Sequence, residues 1–224
     1  LTPMAGHLIA FEGLDQSGKQ TQAERLRDRL TTLGHTVELV DFPDYTTRIG
    51  TEIGSALAGA REYGPDVMQL LYVANRYEWR PRLQQMLDAG TFIICDRYLA
   101  SSVAYGEAFG LDADWLMDIQ KFLPRPSLTI MLDIAPETAV TRKATGRDRY
   151  ERDLALQMRV RDAYRKYQDT QTSVLTVAQE IAKIPPDSTN APAGQDRLAV
   201  ALSVSTVALN EVANLLVTFG VAIE

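Results

Sequence analysis

Apolar and polar positions alternate along this chain in blocks of two kinds. Short apolar runs of about five residues occur at 7–12, 36–42, 91–95 and 128–132. Runs of that length, rich in Val, Ile and Leu, predict strands buried on both faces. Between them the spacing of apolar residues is helical. Leu26, Leu30 and Leu33 share a face of a helix over 19–33, which Gly34 closes. Further helices are predicted at 46–60, 66–89, 99–109, 112–122, 136–143 and 152–167. In the long one, Asp66 reads as the N-cap, Pro81 as a kink and Gly90 as the stop.

Strands alternating with helices predict an α/β fold with a mostly parallel sheet covered on both faces. Residues 173–177 are a candidate fifth strand. The stretch 185–194 (PPDSTNAPAG) is a turn-rich linker before a last helix from about 195. The apolar stretch 198–223 contains Asn210, Glu211 and Asn214, so it reads as a packed helix and not a membrane span. The 224 residues suit one α/β domain over 1–224.

Charge narrows the chemistry. The net charge is −6, from 23 basic and 29 acidic side chains. No global basic field for nucleic acid exists, so an anion must be met locally. Cys95 is the single cysteine, which excludes an intrachain disulfide and a four-cysteine zinc site. His7 and His35 have no partners at metal-ligand spacing. A cytoplasmic enzyme is expected.

The sharpest signal lies between the first strand and the first helix. Gly13-Leu-Asp-Gln-Ser-Gly18-Lys19 has the G-x₄-G-K spacing of a phosphate-binding loop, in the strand-to-helix setting that the loop requires. Its glycines let backbone N–H groups turn inward on phosphate oxygens, and the helix N-terminus adds partial positive charge. Gly13, Gln16, Ser17, Gly18, Lys19, Gln20 and Thr21 are therefore candidates for ATP, with Lys19 bridging the β- and γ-phosphates. The usual Ser or Thr after the lysine is replaced by Gln20, with Thr21 next. Gln20 is a candidate Mg²⁺ ligand only through a longer, less well placed amide oxygen.

Four more segments follow in order: Phe42-Pro43, Tyr72-Val-Ala-Asn75-Arg76, Asp96-Arg97-Tyr98 and Arg149-Tyr150-Glu151. With Glu12-Gly-Leu-Asp15 they resemble the thymidylate kinases over about residues 7–170. The resemblance implies a P-loop NTPase-type three-layer fold with a five-stranded core and a short lid at about 142–150. It implies transfer of the γ-phosphoryl of ATP to dTMP with Mg²⁺, for dTTP synthesis, and a homodimer.

Site roles follow from the resemblance. Asp15 faces the 3′-hydroxyl of the acceptor, and Phe42 packs on its base or sugar. Tyr72 and Arg76, at i and i+4, share a helix face; the ring stacks on thymine and the guanidinium donates to O4. Asp96 holds Mg²⁺ directly or through water, and Arg97 neutralises the acceptor's phosphate. Ser102, Tyr105 and Tyr150 line the acceptor pocket, and Arg48 is a weaker phosphate candidate. Gln16 stands where some members carry a catalytic arginine, so that charge passes to the lid, to Arg147 or Arg149, with Arg142 next. Residues 171–224 fit the family poorly, which leaves the adenine pocket open.

Two other functions compete. A deoxynucleoside kinase would need a general base, for which Glu12 is the loop-adjacent candidate. A nucleotide-binding protein with weak catalysis would follow from a weak metal site at Gln20.

Overall fold

The structure is a computed structural model describing residues 6–142, 149–170 and 174–178. The elements run β1 (His7–Gly13), α1 (Lys19–Thr32), β2 (Val37–Asp41), α2 (Arg48–Leu57), α3 (Pro65–Asp88), β3 (Phe92–Asp96), α4 (Leu99–Ala108), α5 (Ala113–Asp118), β4 (Leu128–Asp133), α6 (Pro136–Arg142), α7 (Arg149–Arg152), α8 (Leu154–Thr170) and β5 (Val174–Ala178). The strands form one sheet in the order β2-β3-β1-β4-β5, and every pairing is parallel. The expected layered α/β fold is thus present.

Each central strand is apolar on both faces because each face has its own core. Ile9 and Phe11 of β1 join Phe92, Ile94, Ile130 and Leu132, and pack on Ala23 and Leu30 of α1. Leu8 and Ala10 point the other way, with Ile93 and Cys95, toward Leu83, Tyr98 and Leu99. A third cluster joins α4, α5 and α8 through Val103, Ala104, Leu116, Val160 and Tyr164. Cys95 is buried, and burial pushes its thiol well above the ordinary range.

Turn chemistry ends the helices where the glycines predict. Gly34 sits at φ 86°, with its N–H on Thr31 O and the His35 N–H on Leu30 O. This paired closure satisfies the last carbonyls of α1, and the left-handed residue is a glycine because it has no Cβ to clash.

Three sequence expectations shift. Helix α3 begins with Pro65 after the cap residue Gly64, so Asp66 lies in the first turn and is not the N-cap. Proline suits that first position because the N–H it lacks would have no intrahelical partner. Helix α3 runs from Pro65 to Asp88 with Pro81 inside it. Helix α5 stops at Asp118 rather than 122. The helix expected from 152 starts at Leu154, because the Asp153 carboxylate caps it by accepting from Leu156 N at 2.9 Å. The expected linker at 185–194, the last helix from 195, and Lys143 to Asp148 of the lid lie outside the described residues. Among the described residues no helix is long and apolar enough to cross a membrane.

Candidate active site

The parallel register puts two chemically loaded turns side by side. Phe11 of β1 pairs with Asp96 of β3, and Arg97 N donates to Phe11 O at 2.9 Å. The loop after β1 and the Asp96-Arg97 turn therefore meet at the carboxyl edge of the sheet, where open α/β sheets bind ligands.

The loop has the backbone its sequence promised. Gly13 has φ 134°, and a Cβ there would lie 2.4 Å from Leu132 O. Gly18 has φ 93° and caps α1, and Gln16 adopts φ 61°. Lys19 is 5% exposed, and its ammonium donates to Leu14 O at 2.8 Å. Burial, helped by the charge on Arg97, lowers it to about 8 against the pull of Asp15, Asp96 and Glu12. Gln20 is exposed on α1 and donates its amide to Glu24 at 3.1 Å, and Thr21 is exposed beside it.

Arg97 lies at φ 65°, a left-handed conformation that a long side chain adopts only under constraint. Its NH2 donates to Asp15 Oδ1 at 2.5 Å, and its NH1 to Ser101 Oγ at 3.2 Å, Gly13 O at 3.3 Å and Tyr164 OH at 3.3 Å. The guanidinium also lies 5.4 Å from the Tyr105 ring centroid. Tyr105 OH donates to Asp15 Oδ2 at 3.0 Å. Burial would raise Asp15, but Arg97 and Lys19 outweigh it and hold the carboxyl well below the usual range. Lys19 and Arg97 thus flank Asp15 between the loop and the turn, two cations placed to meet an anion there.

Glu12 has a different task. It is 0% exposed; Oε1 accepts from the backbone N–H of Tyr98 at 2.9 Å and Ala100 at 3.0 Å. Oε2 accepts from Ser101 Oγ at 2.6 Å, and Tyr164 OH lies 3.4 Å away. The N-cap residue of α4, Tyr98, offers no side-chain cap, and Glu12 supplies one from β1. Burial raises its pKa while Ser101 and Arg97 lower it. A carboxylate with three close donors is a structural clamp and is badly placed to serve as the general base of a nucleoside kinase.

A cleft of about 730 Å³, open mouth included, extends from Asp15 and Arg97 toward α2 and α3. Phe42 and Pro43 form part of its wall, and the peptide bond between them is cis. Tyr72 and Arg76 both line it from α3, as do Ser102 and Tyr105 from α4 and Tyr150 from α7. Arg76 is 3% exposed and donates through NH2 to Ser102 Oγ, while its Nε has no partner among the described residues. Burial lowers its guanidinium to about 10, opposed by Glu12. A buried guanidinium at a cleft wall suits a carbonyl oxygen of a ligand.

Other expected residues stand apart. Arg48 is exposed at the start of α2 and does not line the cleft; Tyr45 does. Arg149 begins α7 and Arg142 ends α6, so both flank the lid, and Arg147 lies outside the described residues. Asp96 ends β3 in register with Asp41 of β2. Burial first and then Asp96 raise Asp41, so two carboxyls meet at this sheet edge.

Three residues of the site were given no role on sequence grounds. Asn75 accepts from Asp44 N at 2.8 Å and donates to Thr47 Oγ1 at 2.9 Å, which fixes the segment after Pro43. Ser101 and Tyr164 tie Arg97 to Glu12. Asn75 lies within the quoted Tyr72–Arg76 segment, which was its available signal. Tyr164 carried only helix periodicity, which reads as core.

The family model described as "Thymidylate kinase" matches residues 11–184. The chain is 37% identical over 179 residues to the thymidylate kinase of Arabidopsis thaliana, covering 80% of this chain and 68% of that protein. It is 41% identical over 147 residues to that of Schizosaccharomyces pombe, covering 66% and 70%, and 34% identical over 166 residues to that of Homo sapiens, covering 74% and 78%. Among solved structures, the thymidylate kinase of Candida albicans superposes with a TM-score of 0.69 at 28% identity, covering 92% of each chain.

Proposed function

The chain belongs to the thymidylate kinase family, ATP-dependent nucleoside monophosphate kinases that phosphorylate dTMP to dTDP on the way to dTTP, and from that premise we propose how its own residues carry the transfer. The observation that carries the reading is the Asp15–Arg97 pair, set between the Gly13–Lys19 loop and the cleft that Arg76 and Tyr72 line.

In this reading ATP lies on the loop, with inward N–H groups and Lys19 on its β- and γ-phosphates. The acceptor lies in the cleft. Tyr72 stacks on thymine and Arg76, oriented by Ser102, donates to O4, where cytosine would present a donor instead. Phe42 packs on base or sugar. Tyr105 and Asp15 meet the sugar, with Asp15 facing the 3′-hydroxyl, and Tyr150 closes the pocket from α7. Arg97 holds the acceptor's phosphate in line with the γ-phosphoryl. Positioning and neutralisation perform most of such a transfer, so no general base is required. Gln16 is neutral; charge on the migrating group comes from the lid, from Arg147 or Arg149, with Arg142 next.

Mg²⁺ fits this chain through Asp96. The negative charge shared by Asp96 and Asp41 is the kind that a divalent cation relieves. Gln20, turned toward Glu24, is the lesser candidate. When bound, Mg²⁺ neutralises charge on the β- and γ-phosphates. We also propose a homodimer of single-domain chains, acting in the cytoplasm.

The test is Arg76→Ala assayed with dTMP and ATP varied separately. The expected result is a KM for dTMP raised at least tenfold, with that for ATP within about threefold. Equal effects on both substrates would remove Arg76 as the base reader.

A further inference from the structure

Arg97 must do two things that conflict. It has to stay charged and oriented in a buried place, and it has to keep part of its fork available for an anion. Asp15 holds only NH2. The other terminal nitrogen, NH1, is held by three oxygens, and one of them comes from a distant helix: Tyr164 OH of α8, at 3.3 Å.

The direction of the hydrogen bonds can be worked out. Arg97 NH1 only donates, so Tyr164 OH accepts from it. Ser101 has one hydroxyl proton, and its 2.6 Å contact with the Glu12 carboxylate takes it. At the 2.8 Å contact between Ser101 Oγ and Tyr164 OH, the tyrosine therefore donates. The chain runs from Arg97 to Tyr164 to Ser101 to Glu12, and Glu12 is itself fixed by the N-terminus of α4. The Tyr164 ring is 2% exposed and packed in the α4–α8 core, so its oxygen has little freedom. Helix α8 is anchored separately at the end of β4. There Asp133 accepts from Arg161 at 2.5 Å and 3.1 Å, and from Arg165 at 2.8 Å.

We propose that the Tyr164 hydroxyl is a positioning residue for Arg97, setting the guanidinium at the height where it grips the phosphate of the acceptor. The proposal rests on Arg97 being the phosphate reader. It assigns to α8, the helix that follows the lid through α7, a direct hold on the acceptor side of the site. Ordinary packing would need the ring alone; the chain of donors and acceptors needs the oxygen.

The experiment measures equilibrium binding of dTMP and of thymidine, which lacks the phosphate, to the full chain. Wild type, Tyr164→Phe, Arg97→Ala and the double variant are compared. Tyr164→Phe keeps the ring and is expected to weaken dTMP about tenfold or more, as loss of a hydrogen bond to a charged group does. Thymidine affinity stays within about twofold, because the base pocket is untouched. In the double variant, dTMP binds no more weakly than to Arg97→Ala alone, since both changes remove one interaction. Equal weakening of dTMP and thymidine, unchanged dTMP affinity, or a Tyr164→Phe chain that does not fold would each overturn the proposal. A wild-type chain that binds thymidine as tightly as dTMP would instead remove Arg97 as the phosphate reader, and the proposal with it.

Discussion

Arg97 and Asp15, 82 residues apart in sequence, share a 2.5 Å ion pair with side chains only 15% and 31% exposed. The pair joins the phosphate loop to the turn after β3. Arg97→Ala is expected to lower kcat/KM for dTMP on the order of 10²- to 10³-fold, the usual consequence of truncating one partner of a desolvated charge pair. A variant within several-fold of wild type would take Arg97 out of the site. The pair also makes an acid-stability prediction. The Asp15 carboxyl is depressed in the folded state, so its contribution is complete above the unfolded value of about 4 and is lost as pH falls below it. Thermal melts between pH 6 and pH 3 should show a steeper loss for wild type than for Arg97→Ala, and parallel curves would contradict this.

Lys19 predicts behaviour on the alkaline side. Its ammonium titrates near 8 in the free chain, lowered first by burial. The kcat/KM for ATP reports the free enzyme, so it should decline as pH rises through about 8 while kcat, measured with phosphate bound, declines later. In Lys19→Arg the charge persists, and the decline near 8 should vanish even if the rate is lower. An unchanged pH profile in that variant would assign the limb to another group.

Glu12 predicts a stability defect rather than a chemical one. In Glu12→Gln one oxygen becomes a donor and must face Ser101 and Tyr164 or two backbone N–H groups. The expected destabilisation is about 2 kcal/mol, and the melting temperature falls by roughly 4–8 °C. A variant that melts with wild type would show that the α4 N-terminus is held by something else.

The parts legible in the sequence were local ones. The Gly13–Lys19 loop could be read because its glycines, lysine and flanking periodicities lie within a few residues of one another. The Tyr72–Arg76 face could be read because four residues make about one helical turn. The failures share a different cause. Glu12 sits at the end of an apolar strand beside a phosphate loop, where an acid looks chemical; its real partners are the N–H groups of α4, 86 and 88 residues away. Tyr164 repeats with Val160 and Tyr167 as an ordinary core position, and nothing in that pattern says that its hydroxyl meets an arginine 67 residues earlier. The split between α7 and α8 falls inside the helix expected at 152–167, because apolar spacing does not show that the Asp153 carboxylate caps a new helix. Hydrophobic periodicity reports which face is buried. It is silent on which polar atom finds which.

Cys95 lies at 0% exposure near the end of β3 with its thiol held protonated, and the chain has no other cysteine. Maleimides and other thiol reagents react through an accessible thiolate, so the folded native chain should take up almost none. A cysteine introduced at an exposed position, such as Met158 on α8, would then be the single reactive handle. A fluorophore or spin label could follow the helix behind the lid through a turnover cycle without any native residue first being removed.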